Sequence, residues 1–316
     1  DSFVWYRMAL RLRHLFLGMN FHYLYISRKA VFVSCLYDLS DYELELVFSD
    51  TIGYTPRQLL SSLALEEDEM LQAFCADELD EPLDSGKRVR FYDRIRSSSL
   101  AKILLEKSGE ARRLLLSYLR QEGFLGSEKP GIVDIGWKGN TNRVLNYILR
   151  REEDTNAYLS FFLGVKETRH PIASIGDYEA GYYFEDYLDE PEYAYNLFAL
   201  VYVLENYFSA SDDTTLSRYR EEDGTIYPEF SPGIISDASK EKNQYILRLT
   251  EGFLDLIMES GLLRYDPSSL FGDVGVPTLL RLASRPSMAE LRVLRELTFN
   301  DIYVGDRKVV LKMYPW

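Results

Sequence analysis

The chain has 316 residues, 46% of them hydrophobic, enough to bury a sizeable core in one large α/β domain or two smaller ones. Fifty Asp and Glu against 36 Lys and Arg leave a formal charge of −14, which argues against wrapping nucleic acid, since backbone binding needs a strong positive field. No zinc-type ligand spacing, membrane-length apolar run or signal-peptide layout is present, so Cys35 and Cys75 are expected as buried thiols and the cytoplasm as the compartment.

In chain order, Phe3, Met8, Leu12 and Leu15 give residues 3–17 helical spacing, and Tyr23-Leu24-Tyr25-Ile26 reads as a short strand ending in Ser27-Arg28-Lys29-Ala30. Residues 38–125 read as helices: Pro56 is a start signal, Glu66-Glu67-Asp68-Glu69 an acidic first turn, and Leu100, Ile103 and Leu104 an apolar stripe. After Pro130-Gly131, Ile132-Val133-Asp134-Ile135 is a buried-type strand, and Val144, Leu145, Ile148 and Leu149 mark the helix that follows. Residues 158–165 and 178–184 are further strands, 197–207 an apolar helix, and 212–232 a turn-rich stretch. The stretch 245–263 is an amphipathic helix with Ile246, Leu249, Phe253 and Ile257 on one face. Ser287-Met288-Ala289-Glu290 fits a capping box, and residues 308–313 an edge strand. The expected fold is α/β, a mostly parallel sheet (Rossmann-like or phosphoribosyltransferase-like) with a large helical insertion and C-terminal helices. Residues 1–37 and 127–235 form the α/β core, 38–126 a helical subdomain, and 236–316 a C-terminal helical region with the edge strand at its tail.

The sharpest local signal is the turn after Val133. Asp134 sits at the carboxyl end of a strand, where open α/β sheets bind ligands, and Gly136 and Gly139 flank Trp137-Lys138. Glycines let backbone N–H groups converge on an anion and the helix N-terminus adds its dipole. Lys138 supplies a cation, and Asn140, Thr141 and Asn142 offer capping or phosphate-directed hydrogen bonds. The competing reading is a tight connection whose Asp and Asn only cap; two glycines and a lysine are not a Walker motif. Ser27, Arg28 and Lys29 at another strand end suit a diphosphate or sugar phosphate, or else form a solvated basic turn. Lys87, Arg88, Arg90, Arg94 and Arg96 read as a solvated face. Glu205, ending an apolar segment, suits a general base with a raised pKa, or a structural acceptor for a backbone amide. His14, His22 and His170 are scattered and form no dyad.

Four stretches carry a resemblance to the region that follows the haloacid-dehalogenase-like part of bacterial capsule and O-antigen biosynthesis proteins. Residues 23–30 resemble the family's Y-L-Y-x-S-R-R-A run, and residues 133–139 its V-D-I-G-W-x-G turn. Residues 205–210 with Tyr219 are similar to its E-x-x-F-S-A segment and later Tyr, and 285–299 to its closing helix. Asp1-Ser2-Phe3 resembles the end of its S-R-D-G loop, with Ser2 in place of Gly, and the D-x-D-x-T signature of dehalogenase-fold hydrolases is absent. The resemblance extends to the phosphoribosyl-type transferase domain of ribosyl-ribitol-phosphate capsule polymerases. It implies a glycosyl- or phosphoribosyl-type transferase in surface polysaccharide synthesis, using a phosphorylated or diphosphate-activated sugar donor and a growing polysaccharide or lipid-linked acceptor. The donor's pyrophosphate then lies near Asp1, Ser27 and Arg28, its 5-phosphate near Gly136 to Thr141, with Mg²⁺ as the cofactor such chemistry admits. Asp134 and Glu205 are the expected catalytic groups; no metal-ligating residue is assigned. Partners would bring the protein to the inner membrane. A phosphoester hydrolase and a catalytically silent sugar-phosphate-binding or scaffold domain are the alternatives.

Overall fold

The computed structural model describes residues 2–48, 53–128, 130–137, 139–152, 158–165, 180–185, 204–205, 211–233, 235–261, 281–282, 285–294, 298–301 and 305–308. Helix α1 (Phe3–Arg11) leads into a short 3-10 turn at Arg13–Leu15, followed by α2 (Arg28–Val33). Six helices follow: α3 (Asp41–Phe48), α4 (Pro56–Ser62), α5 (Glu67–Met70), α6 (Ala76–Asp80), α7 (Ser85–Ser97) and α8 (Leu100–Gln121). The expected helical block is therefore present, and its start signals act as read. Pro56 opens α4, where Thr55 and Gln58 form a capping box, and Asp84 accepts the Gly86 and Lys87 N–H groups at the head of α7.

Strand β1 (Gly131–Trp137), helix α9 (Asn140–Glu152), β2 (Leu159–Val165) and β3 (Ala180–Glu185) form a three-stranded parallel sheet of order β1-β2-β3. The hairpin β4 (Leu216–Glu222) and β5 (Thr225–Phe230) comes next, then α10 (Asp237–Ser260), α11 (Met288–Leu294) and a second antiparallel pair, β6 (Thr298–Asp301) with β7 (Gly305–Lys308). The fold is thus a mixture of helices with small parallel and antiparallel sheets. One cluster of buried apolar side chains runs from Ala30 to Ile226 and is shared by the helical block, α9 and the β4–β5 hairpin.

Tyr23 to Ile26 is not a strand. The segment is extended but lies in no sheet, because ring hydroxyls take the backbone bonds a neighbouring strand would supply. Tyr118 of α8 accepts the Tyr25 N–H at 3.0 Å, and Tyr219 of β4 donates to the Tyr25 carbonyl at 2.6 Å. Those two rings stack at 4.8 Å, clamping the segment between α8 and β4.

The turn-rich stretch is a β-hairpin. Asp223 (φ 51°) and Gly224 (φ 76°) make its two-residue turn, an Asp-Gly signal that favours a hairpin whose twist matches its strands. The side chain of Gln121, at the end of α8, completes the β5 edge: Ile226 donates to Gln121 Oε1 at 2.8 Å and accepts from Nε2 at 3.0 Å. Helix α10 buries Ile246, Leu254 and Ile257 but leaves Leu249 and Phe253 more than half exposed, so the predicted face is rotated. Cys35 is buried as expected; Cys75 is exposed at the head of α6. The capping box at Ser287 and Glu290 is formed in both directions. Residues 309–313 of the expected tail strand lie outside the described residues, as does most of 197–207.

Candidate functional site

The site is built at the carboxyl end of β1. Gly136 has φ +106° and lies opposite Gly164 of β2, so close that an added Cβ would sit 3.0 Å from Phe162 Cβ and against the Gly164 carbonyl oxygen. A glycine at 136 lets β1 approach β2 there and release the chain into the turn. Gly139 (φ +62°) ends the turn, and its carbonyl accepts the Arg143 N–H at 2.9 Å as α9 begins. The first turn of α9 holds no acidic residue, so nothing there opposes an anion at its N-terminus.

Asn142 ties the three elements together from a buried position. Its Nδ2 donates to Asp134 Oδ2 at 3.3 Å, and its Oδ1 accepts from the Ser160 hydroxyl at 3.4 Å. The Tyr158 hydroxyl donates to its carbonyl at 2.8 Å. Asp134 is thereby fixed. Burial raises its pKa; the Gly136 and Ile135 N–H groups and the nearby Arg28 guanidinium oppose that rise without cancelling it.

Arg28 acts on Asp134 only through its charge, as the smallest of the opposing effects, across more than 100 residues of chain. The expected route, two adjacent parallel strand ends, is not the one used. Helix α2 packs directly on α9, and Arg28 is the first residue of α2. Ser27 caps that helix: its hydroxyl accepts the Ala30 N–H at 3.1 Å and donates to the Leu216 carbonyl at 2.8 Å. It thus anchors α2 on β4, while Lys29 is half-buried in the first turn.

Of the remaining expected residues, Asn140 and Thr141 open α9 and are half-buried. Glu205 is half-buried in a helical turn beside buried Leu204, and residues 206–210 of its segment lie outside the described residues. Asp1, Lys138, His170 and the Trp137 side chain lie outside them too. The α7 cations form ion pairs rather than a freely solvated face: Lys87 pairs with Glu81, Arg88 with Glu45, Arg94 with Glu78 and Arg96 with Asp41, and Lys87, Arg88 and Arg96 are half-buried.

Sequence reasoning passed over Arg143. Its Nε is buried and has no hydrogen-bond partner among the described residues. Arg143 is the fourth residue of α9, and its backbone N–H donates to the Gly139 carbonyl at 2.9 Å. A basic residue one turn into a helix that follows a glycine turn was the available signal. The groups at the head of α9 are backbone N–H donors, Arg143 in the first turn and the Asp134 carboxyl fixed by Asn142, a set able to hold an anionic group beside a hydroxylated one.

No group of three or more metal-ligating side chains occurs among the described residues. Asp134, midway along β1, is engaged by Asn142. No helix among the described residues is long and apolar enough to cross a membrane. No known family model matches the chain, and no curated protein is significantly similar to it.

Proposed function

We propose that the chain is a glycosyl- or phosphoribosyl-type transferase of surface polysaccharide synthesis, taking a diphosphate-activated sugar at the β1–α9 turn. The observation that carries this reading is the glycine turn that leads from β1 into the acid-free head of α9, with Asp134 held by Asn142 beside it. The resemblance of residues 23–30 and 133–139 to the capsule-polymerase transferase region supports it. So does the parallel β1–α9–β2 unit, which extends on this reading into a larger Rossmann-like or phosphoribosyltransferase-like sheet.

In this proposal the sugar phosphate binds the α9 amides and Arg143, and Arg28 binds the diphosphate leaving group. The bond from the anomeric carbon to the diphosphate breaks as an acceptor hydroxyl attacks. Arg28 stabilises the departing charge, and Asp134 fixes the sugar through its hydroxyl groups. Glu205 is proposed to take the acceptor proton. Mg²⁺, if required, arrives with the diphosphate. The reaction would take place in the cytoplasm.

Calorimetry with phosphoribosyl pyrophosphate tests the assignment. Arg28→Ala is expected to weaken binding by roughly 10–100-fold, the size of a lost charge-assisted bond. Unchanged affinity in this folded variant contradicts the site. Release of inorganic phosphate would favour the hydrolase, and binding without turnover on any acceptor the silent domain.

Asp134→Asn separates function from stability. The folded pKa of Asp134 lies above its unfolded value, so its contribution is fully present below the ordinary carboxyl range and lost as pH rises through the folded pKa. At neutral pH the charge is held at a cost, so Asp134→Asn should lose transfer yet melt at the same temperature or higher. Its melting temperature should also gain less than that of the parent on acidification. Thermal melts at acidic and neutral pH check this; a neutral-pH melting temperature well below that of the parent would assign Asp134 to the structure.

A further inference from the structure

We propose that the tip formed by residues 13–19 docks the protein directly onto an anionic lipid surface. Residues 13–20 are all exposed. Among them Leu15, Phe16, Leu17 and Met19 stand 49%, 40%, 90% and 63% open, four large apolar side chains within five positions. Single exposed apolar residues are ordinary, whereas a contiguous group marks an interaction site.

The tip is a formed structure. Leu15 and Phe16 donate to the Leu12 and Arg13 carbonyls, Met19 donates to that of Phe16, and Gly18 turns the chain at φ +82°. Phe16 meets Phe21 edge to face at 5.7 Å, which holds the base of the turn. Leu17 therefore projects from a fixed point.

Charge selects the partner. Between Ser2 and Tyr37 the sequence contains no Asp or Glu; of its five Lys and Arg, Arg28 and Lys29 belong to α2 and Arg7 and Arg11 pair with α10, which leaves Arg13 as the cation beside the tip. The acids of α10 that face α1 are already matched, Glu251 to Arg7 at 2.6 Å and Asp255 to Arg11. Glu259, one turn further along α10, is the next acid on that flank. Arg13 at the foot of the tip has no ion-pair partner among the described residues, and His14 adjoins it. An apolar tip with a basic foot matches the acyl boundary and headgroups of an anionic bilayer. A second copy would bring like-charged tips together, which argues against self-association through this face.

Vesicle flotation of the full chain tests this, using phosphatidylcholine with and without phosphatidylglycerol at low and high salt. Capture is expected on the anionic vesicles only and to fall with salt. Leu17→Ser should cut it by about tenfold or more, and Arg13→Glu by about fivefold or more. Leu17→Trp should retain capture, with emission quenched by lipids brominated along the acyl chain. Leu17 is almost fully exposed, so these variants should melt with the parent. Equal capture by neutral vesicles, no capture, or an unquenched Leu17→Trp overturns the proposal. So does light scattering that shows a dimer dispersed by Leu17→Ser without any capture.

Discussion

Gly136→Ala is expected to destabilise the protein by roughly 3–5 kcal/mol, combining a side chain forced to positive φ with overpacking against backbone. The new Cβ would press on the Gly164 carbonyl oxygen and lie 3.2 Å from the Gly164 carbonyl carbon and 3.0 Å from Phe162 Cβ. Neither neighbour is the free end of a flexible side chain. Relief requires β1 and β2 to separate at the point where they support the turn. Against a typical total stability of about 5–15 kcal/mol, a loss of this size leaves much of the chain unfolded. Chemical denaturation checks it. A midpoint within error of the parent would mean that the strands do not approach as closely as described. Gly139→Val, at φ +62° on the other side of the turn, should act more on anion binding than on the sheet.

Glu43→Ala should cost roughly 3–5 kcal/mol, as expected when one partner of a buried charge network is removed. Glu43 is fully buried and accepts the N–H groups of Tyr37 and Asp38 at 3.0 Å and of Leu39 at 2.8 Å. The Tyr147 hydroxyl donates to it at 2.7 Å and the Arg151 guanidinium at 3.1 Å. The network extends to the Tyr37 ring, with Arg112 3.6 Å and Arg151 4.3 Å from its centre. Alanine would strand the three backbone donors of Tyr37, Asp38 and Leu39, while Arg151 would keep the Tyr147 hydroxyl as an acceptor. Because Tyr147 and Arg151 belong to α9, the loss should also loosen the helix whose head forms the turn. A denaturation midpoint for Glu43→Ala close to that of the parent would show the network to be dispensable.

Strand β1 is not buried as expected, since Val133 is 53% exposed and, among its described side chains, only Ile135 is in the core. The sequence still made the turn legible because most of what it needs is local: an apolar strand, Asp134, two glycines and the polar head of α9. The helical block was legible for the same reason, through Pro56, Thr55 and the leucine stripe of α8. The role of Glu43 was not. In Asp41-Tyr42-Glu43-Leu44-Glu45 nothing distinguishes Glu43 from Glu45; Tyr147 and Arg151, more than 100 residues away, make the choice. Tyr23 to Ile26 has strand composition, but tertiary hydroxyls from Tyr118 and Tyr219 claim its backbone, an override that local propensity cannot anticipate. The β4–β5 hairpin could have been read from Asp223-Gly224 between residues of alternating character. On α10, apolar residues at 246, 249, 253, 254, 256 and 257 encircle too much of the helix for periodicity to fix the buried side.

The most direct test of phosphate binding proposed at the β1–α9 turn is an amide chemical-shift titration of the ¹⁵N-labelled chain with phosphoribosyl pyrophosphate, repeated with inorganic pyrophosphate. The account predicts that both ligands shift the amides of Ile135, Gly136 and Gly139 to Arg143 together with those around Arg28, and that Arg28→Ala weakens both responses. Saturable binding whose shifts fall elsewhere, leaving the β1–α9 turn and Arg28 unmoved, would contradict it.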